Sequence, residues 1–235
     1  MVRTEAYTKI LNLCKLLLKH KKDGKIIHGA LIGLKGEGKT RAAKEVANGL
    51  PPVFYVKIPE GDITKTRLIK LFSLAIGAGS MRSYDMTLDL VKGHIEQEAL
   101  YPLFILDEAQ RLFKLPRWVF SELKDWSEDP DLRFTYLFLG DGDLKSYFKK
   151  ANHYSILKRV IYREELNGEI SKELVESLMK EYSLKGNPQI VVKIAKREKW
   201  KLLELDTTLY LLSIENQEVS EESLQKILSK QGVAL

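Results

Sequence analysis

Gly33-Leu34-Lys35-Gly36-Glu37-Gly38-Lys39-Thr40 fits the pattern G-x-x-x-x-G-K-[ST]. The apolar run Ile26–Ile32 leads into it. Arg41 to Leu50 follows with helical spacing, Ala42 and Val46 on one face and Gly49-Leu50 as the stop. Strand, glycine loop and helix in that order make a phosphate-binding P-loop. The glycines let backbone N–H groups converge on an oxyanion, and the helix N-terminus adds partial positive charge. Lys39 is expected to reach the β- and γ-phosphates and the Thr40 hydroxyl to ligate Mg²⁺. The nucleotide-binding set is therefore Gly33 through Thr40, with Arg41 directly after it.

A hydrolytic site needs a second half. The apolar strand Leu103-Phe104-Ile105-Leu106 ends in Asp107-Glu108. If this strand runs parallel beside the first, its C-terminal end delivers Asp107 to the Mg²⁺ of Thr40, with Glu108 placed to orient the attacking water. Catalysis of this kind is mostly positioning and electrostatics, with Lys39, Mg²⁺ and an arginine matching the charge that spreads in the transition state.

Outward from these two stretches, strands and helices alternate. A basic helix covers Thr4–Lys22, with Ala6, Ile10, Leu13 and Leu17 on one face and Asp23-Gly24 ending it. Pro51-Pro52 precedes a second strand, Val53–Ile58. Helices are expected over Ile63–Ile76, Thr87–Leu100 and most of 109–128, the last interrupted by Pro116. Tyr101–Leu106 is the third strand and Phe134–Leu139 the fourth, followed by the turn Gly140-Asp141-Gly142-Asp143. A short helix over Leu144–Lys150 and a fifth strand, Val160–Leu166, complete the series. After Asn167-Gly168 only helices are expected, over 171–182, 188–199, 201–213 and 220–230, the last capped by Ser220. The fold class is α/β, a parallel five-stranded sheet with helices on both faces (1–168), plus a small all-helical C-terminal domain (169–235).

Length and composition agree: 235 residues, 44% hydrophobic and 30% charged, suffice for one large or two small domains with a core. No run approaches the ~20 apolar residues of a membrane span. Lys15 and Lys19 interrupt the N-terminal leucines, so no signal peptide is expected. The single cysteine, Cys14, excludes an intrachain disulfide and points to the cytoplasm. His20, His28, His94 and His153 show no ligand spacing, so no metal beyond Mg²⁺ is expected. Trp118, Trp126 and Trp200 fall at helical positions and are expected to pack rather than stack on bases. The first 25 residues hold seven Lys or Arg and two acids, most of the net +6, with further basic clusters at Lys145–Arg163 and Lys193–Lys201. Such asymmetry suggests an anionic partner, nucleic acid first.

Together these residues resemble the AAA+ ATPases. More narrowly, Ile105-Leu106-Asp107-Glu108-Ala109-Gln110 with Leu112 is similar to the DEAQ segment of the TniB/TnsC/Mu-B transposition ATPases and their ExeA-like relatives. Leu139-Gly140-Asp141-Gly142-Asp143-Leu144 resembles their GxPEL turn, and Ile156-Leu157-Lys158-Arg159-Val160 their segment before the fifth strand. The resemblance implies ATP and Mg²⁺ as ligands and the helical region as a lid. It makes Arg159 a finger acting on ATP held by a neighbouring subunit, with Arg163 as the competitor. Asp141 falls at the polar sensor position usually held by Asn, Thr or Gln. Gln189, in Gly186-Asn187-Pro188-Gln189, stands where the second sensor carries arginine. The resemblance further implies a homo-oligomer, ring or helical filament, around double-stranded DNA. Its backbone would be contacted without sequence preference by Lys57, Lys65, Thr66 and Arg67, beside Thr64. The implied role is regulation of transposition and target-site selection with a transposase or target-selection partner. A replication-initiation, helicase-loading or secretion-associated ATPase is the alternative, and a nucleotide-switched scaffold with little hydrolysis the third.

Overall fold

A computed structural model of the chain describes residues 4–149, 155–215 and 218–230; the expectations that fall on Lys150 and His153 lie outside them. Five parallel strands, β1 (His28–Ile32), β2 (Val53–Lys57), β3 (Leu103–Asp107), β4 (Thr135–Gly140) and β5 (Val160–Glu165), pair in the order β2-β3-β4-β1-β5. β1, β3 and β4 are buried along their whole length, which is why they read as continuous apolar runs. β5, at an edge, alternates instead and turns Ile161, Arg163 and Glu165 outward.

The strand order corrects one expectation. β3 is not beside β1: β4 lies between them. The P-loop nevertheless meets β3, because Gly33 donates its N–H to Gly140 O at the end of β4 (3.0 Å) and the following helix packs across β2 and β3.

The helices are α1 (Glu5–Lys22), α2 (Lys39–Gly49), α3 (Lys65–Ala75), α4 (Tyr84–Gln97), α5 (Trp118–Glu128) and α6 (Gly142–Lys149), then α7 (Lys172–Glu181), α8 (Pro188–Arg197), α9 (Leu202–Ile214) and α10 (Glu221–Lys230). Caps move several starts from where periodicity alone puts them. α4 begins at Tyr84 rather than Thr87 because the Ser83 hydroxyl accepts the Met86 N–H, and Thr64 caps α3 in the same way. The expected helix over 109–128 divides. Ala109–Lys114 winds as a 3₁₀ segment and α5 starts only beyond Pro116, which cannot donate to a preceding turn.

The chain forms two compact units. The sheet unit holds Tyr7–Leu34 and Lys39–Leu166. The helical unit holds the described residues of Met1–Ala6, Lys35–Gly38 and Asn167–Leu235, so the P-loop crown clusters with α7–α10 rather than with the strands. Within it Leu203 donates its N–H to Gly36 O (3.1 Å), and a Cβ on Gly38 would lie 2.7 Å from Leu202 Cδ2. Leu178, Val191, Leu205, Leu209 and Leu224 form its core.

One face of the sheet is closed by aromatic packing. Phe72 of α3 is fully buried among Phe104, Trp126, Phe134 and Tyr136, with ring centroids 4.8–6.2 Å away. Phe72→Ala removes the ring that all four neighbours share. The expected loss is about 3–5 kcal/mol, read as a melting temperature roughly 10 °C lower; a shift under about 2 °C would mean that the cluster collapses to refill the site. Trp126 and Trp200 are buried and Trp118 packs at the core margin, as their spacing suggests.

Candidate active site

Asp107 ends β3 with its side chain almost wholly buried, and three donors fix it. Oδ2 accepts from Thr40 Oγ1 (2.7 Å) and from the Tyr55 hydroxyl (2.8 Å), while Oδ1 accepts the Glu108 N–H (3.0 Å). Burial and the neighbouring Asp107 raise the pKa of Tyr55 well above the usual phenol value, so this hydroxyl stays a donor. The sequence pattern pairs Thr40 with Asp107 but omits Tyr55. Its place follows from register: Lys57 lies opposite Asp107, which puts Tyr55 two residues back on the adjacent strand.

Glu108 adopts a left-handed backbone, φ 58° and ψ 37°, which is uncommon for a side chain of this size. Such conformations persist where surrounding structure over-determines them, and they gather at functional sites. The turn carries Glu108 off the strand. Its Oε2 accepts from Gln110 Nε2 (3.0 Å) and faces Arg111 Nε at 3.6 Å. Arg111 is itself anchored by Ile58 O (3.0 Å) and Glu60 (2.7 Å). Gln110 Nε2 also donates to Asp141 Oδ2 (3.2 Å), so the carboxylate at the sensor position is engaged inside the site.

Gly36 and Gly38 have φ of +90° and +78°, the conformation that lets successive amides face one concavity and that only glycine adopts without strain. Lys39 Nζ donates to the Gly33 and Leu34 carbonyls, both at 2.7 Å, which holds the ammonium at the start of the loop. Arg41 is exposed and pairs with Glu45 one turn on (3.3 Å). Among the described residues no three His, Cys, Asp or Glu side chains group to hold a metal by themselves. Mg²⁺ takes one or two protein oxygens and completes its shell with phosphate oxygens and water. The Thr40 hydroxyl and Asp107 carboxylate, in direct hydrogen bond, are hard oxygen donors that fit that role.

Arg159 and Arg163 lie apart from this centre. Arg159 precedes β5 and pairs with Glu128 at the end of α5. Val160 pairs with His28, the first residue of β1, so Arg159 sits at the sheet edge away from the P-loop. Arg163 is mid-strand over the Phe148 ring, 4.8 Å from its centroid. Lys57 ends β2, whereas Lys65, Thr66 and Arg67 form the first turn of α3. Lys65 is committed elsewhere: it is ion-paired with Glu122 and lies over the Tyr84 and Trp118 rings. Arg67 donates to Asp62 O (3.3 Å). Gln189 is exposed in the first turn of α8, its N–H taken by Asn187. The N-terminal basic stretch is not uniformly solvated. Lys21 donates to Pro102 O (2.8 Å), and burial beside Arg133 lowers its pKa to about 7. No helix among the described residues is long and apolar enough to cross a membrane.

Comparison with known proteins agrees with the fold. No curated protein matches the sequence. Among solved structures, the fold is similar to the Aeropyrum pernix ORC2 protein in ADPNP–ADP complexes, with TM-score 0.68, 17% identity, and coverage of 93% of this chain and 66% of that one. It is similar to a Walker-type ATPase of Pyrococcus abyssi (TM-score 0.67, 15% identity, 97% and 71% covered). A third is the Aeropyrum pernix ORC1 protein in complex with DNA (TM-score 0.62, 13% identity, 97% and 65% covered). The chain thus spans about two thirds of the length of these structures. The family model described as AAA domain matches residues 27–148, from the entry to β1 through α6. With the P-loop, Asp107-Glu108 and the five-stranded parallel sheet in place, the chain belongs to this AAA family of P-loop nucleoside triphosphatases.

Proposed function

We propose that the protein is an ATP-hydrolysing switch that oligomerises on double-stranded DNA. The observation carrying this reading is the joining of Thr40, Asp107 and Glu108 at the C-terminal ends of the strands while Arg159 lies at the N-terminal end. One subunit then has the groups to hold ATP, while its Arg159 stands away from its own P-loop. Lys39 and the loop amides would bind the phosphates, and Thr40 and Asp107 would hold Mg²⁺, which when bound supplies positive charge to the triphosphate. Glu108 orients water and accepts its proton as the bond to ADP breaks. Arg159 of a neighbour supplies the remaining positive charge.

DNA is the partner that best suits the basic surface and the neighbouring folds, one of which is described as bound to DNA. Lys57 and Arg67 with the Thr66 hydroxyl remain the phosphate-contact candidates, and Lys65 joins them only by leaving Glu122. For the client, the Asp107-Glu108-Ala109-Gln110 segment favours a transposition regulator with a transposase or target-selection partner. The likeness to ORC1 and ORC2 favours replication initiation equally. Binding to duplex DNA should require ATP, and affinity should fall steeply between about 50 and 200 mM salt as counterions compete for phosphates. Fluorescence anisotropy with two unrelated duplexes, paired with negative-stain imaging, tests both statements. Rings or filaments with ATP and DNA are expected; persistent monomers, or affinity indifferent to salt, would sink the proposal.

A further inference from the structure

Among the described residues, Gln110 is the one side chain that hydrogen-bonds both Glu108 and Asp141. Its Nε2 lies 3.0 Å from Glu108 Oε2 and 3.2 Å from Asp141 Oδ2. One amide nitrogen has two hydrogens, so a single group serves both carboxylates. The opposite amide orientation would set Oε1 against two carboxylates, which fixes the assignment. Oε1 is buried against the end of β4, where a Cβ on Gly140 would come within 2.9 Å of it. Gly140 O in turn accepts the N–H of Gly33, the first residue of the P-loop. The bridge is therefore continuous with the phosphate-binding loop through one backbone hydrogen bond.

Asp141 is held at both oxygens. Oδ2 takes Gln110 and Oδ1 accepts the Asp143 N–H (3.0 Å). A carboxylate is a poor direct sensor of a γ-phosphate, since like charges repel. It is a good anchor for an amide that must hold still.

We propose that Gln110 is the positioning residue for Glu108, and that Asp141 acts on the reaction through Gln110 rather than by touching phosphate. This rests on the reading that Glu108 orients the attacking water. The left-handed turn carries Glu108 off the strand, and its carboxylate is met by Gln110 on one side and Arg111 on the other. Asp141 sets where Gln110 stands.

The test uses the full chain with ATP and DNA. Gln110→Ala should lower kcat about 10- to 100-fold with KM for ATP within about twofold, since positioning acts on the transition state and not on nucleotide binding. Asp141→Ala should give a similar kcat loss, and the double variant should lose no more than the worse single, because both remove one bridge. Asp141→Asn, which keeps one acceptor oxygen where the carboxylate uses two, should fall between wild type and Asp141→Ala. Gln110→Glu supplies a readout independent of turnover. Its carboxyl would face Glu108 and Arg111 on its own segment, Glu60 beyond Arg111, and Asp141 from the turn after β4. Surrounded mostly by acids, its folded pKa rises above the unfolded value of about 4.3. The destabilisation is then absent at pH below that value and complete above the folded pKa. The melting-temperature gap to wild type should accordingly be widest at pH 8 and shrink toward pH 5.

Additive losses in the double variant would make Asp141 an independent sensor and overturn the proposal. So would full kcat in Gln110→Ala. Glu108→Gln run in parallel separates the two levels. If it leaves turnover intact, the hydrolysis reading fails and the positioning role with it. If it abolishes turnover while Gln110→Ala does not, only the positioning role fails.

Discussion

Glu108→Gln is expected to slow ATP turnover by about 10²–10⁴-fold, the range of a positioned general base, while ATP still binds within a few-fold of wild type. The substitution isolates the chemistry unusually well. Gln tolerates the left-handed backbone as Glu does, and its amide oxygen can still accept from Gln110 Nε2. What is lost is the charge that faces Arg111 and the basicity that takes a proton from water. Arg111 keeps its Glu60 and Ile58 partners, so the local structure is not left with an uncompensated cation. ATP binding by a fluorescent analogue and phosphate release in a single turnover give the two halves of the result. Intact binding with blocked release should also trap the ATP-bound oligomer on DNA. Phosphate release within about threefold of wild type would remove Glu108 from its assigned role.

Lys39, Thr40 and Asp107 were readable in the sequence because their chemistry is tied to contiguous patterns. A glycine loop must follow a strand and open a helix, and an acidic pair must end an apolar strand. Both constraints are local. Strand order is not local, which is why β4 intrudes between β1 and β3 without any mark in the residues of either. The same holds for Tyr55: β2 reads as a strand, but only its register against β3 brings the hydroxyl to Asp107. Side-chain capture is equally hidden. Lys65 looks like a phosphate contact beside Thr66 and Arg67 until Glu122, 57 residues later, closes on it and Tyr84 joins the network. Gln110 was visible as part of a segment, but that it bridges Glu108 to Asp141 depends on where the turn after β4 comes to rest.

Arg159→Ala should cost more than any other exposed substitution, about 10³-fold or more in the turnover of the assembled protein, if it supplies the missing cation. The geometry makes this a statement about neighbours. β1 and β5 run parallel, with His28 opposite Val160 and Ile32 opposite Glu165. The P-loop leaves from the Ile32 end and Arg159 enters at the His28 end, five residue rises away, about 16 Å along the strand. No arginine side chain spans that distance to its own phosphates. In the isolated subunit Arg159 rests on Glu128, a pair about one third exposed at each partner. Such a contact is worth about 0–1 kcal/mol, so a neighbour's triphosphate can displace it. Loss of stability therefore cannot account for a large drop in rate, and the melting temperature should barely move. Mixing separates this account from a structural one. Subunits carrying Arg159→Ala keep an intact P-loop, and subunits carrying Lys39→Ala keep an intact arginine. Each alone should be inactive. An equal mixture should recover roughly a quarter of the head-to-tail interfaces in working form, and turnover should return with them. If the mixture stays as dead as its components, the arginine that completes the site is not Arg159, and Arg163 takes its place in the same experiment.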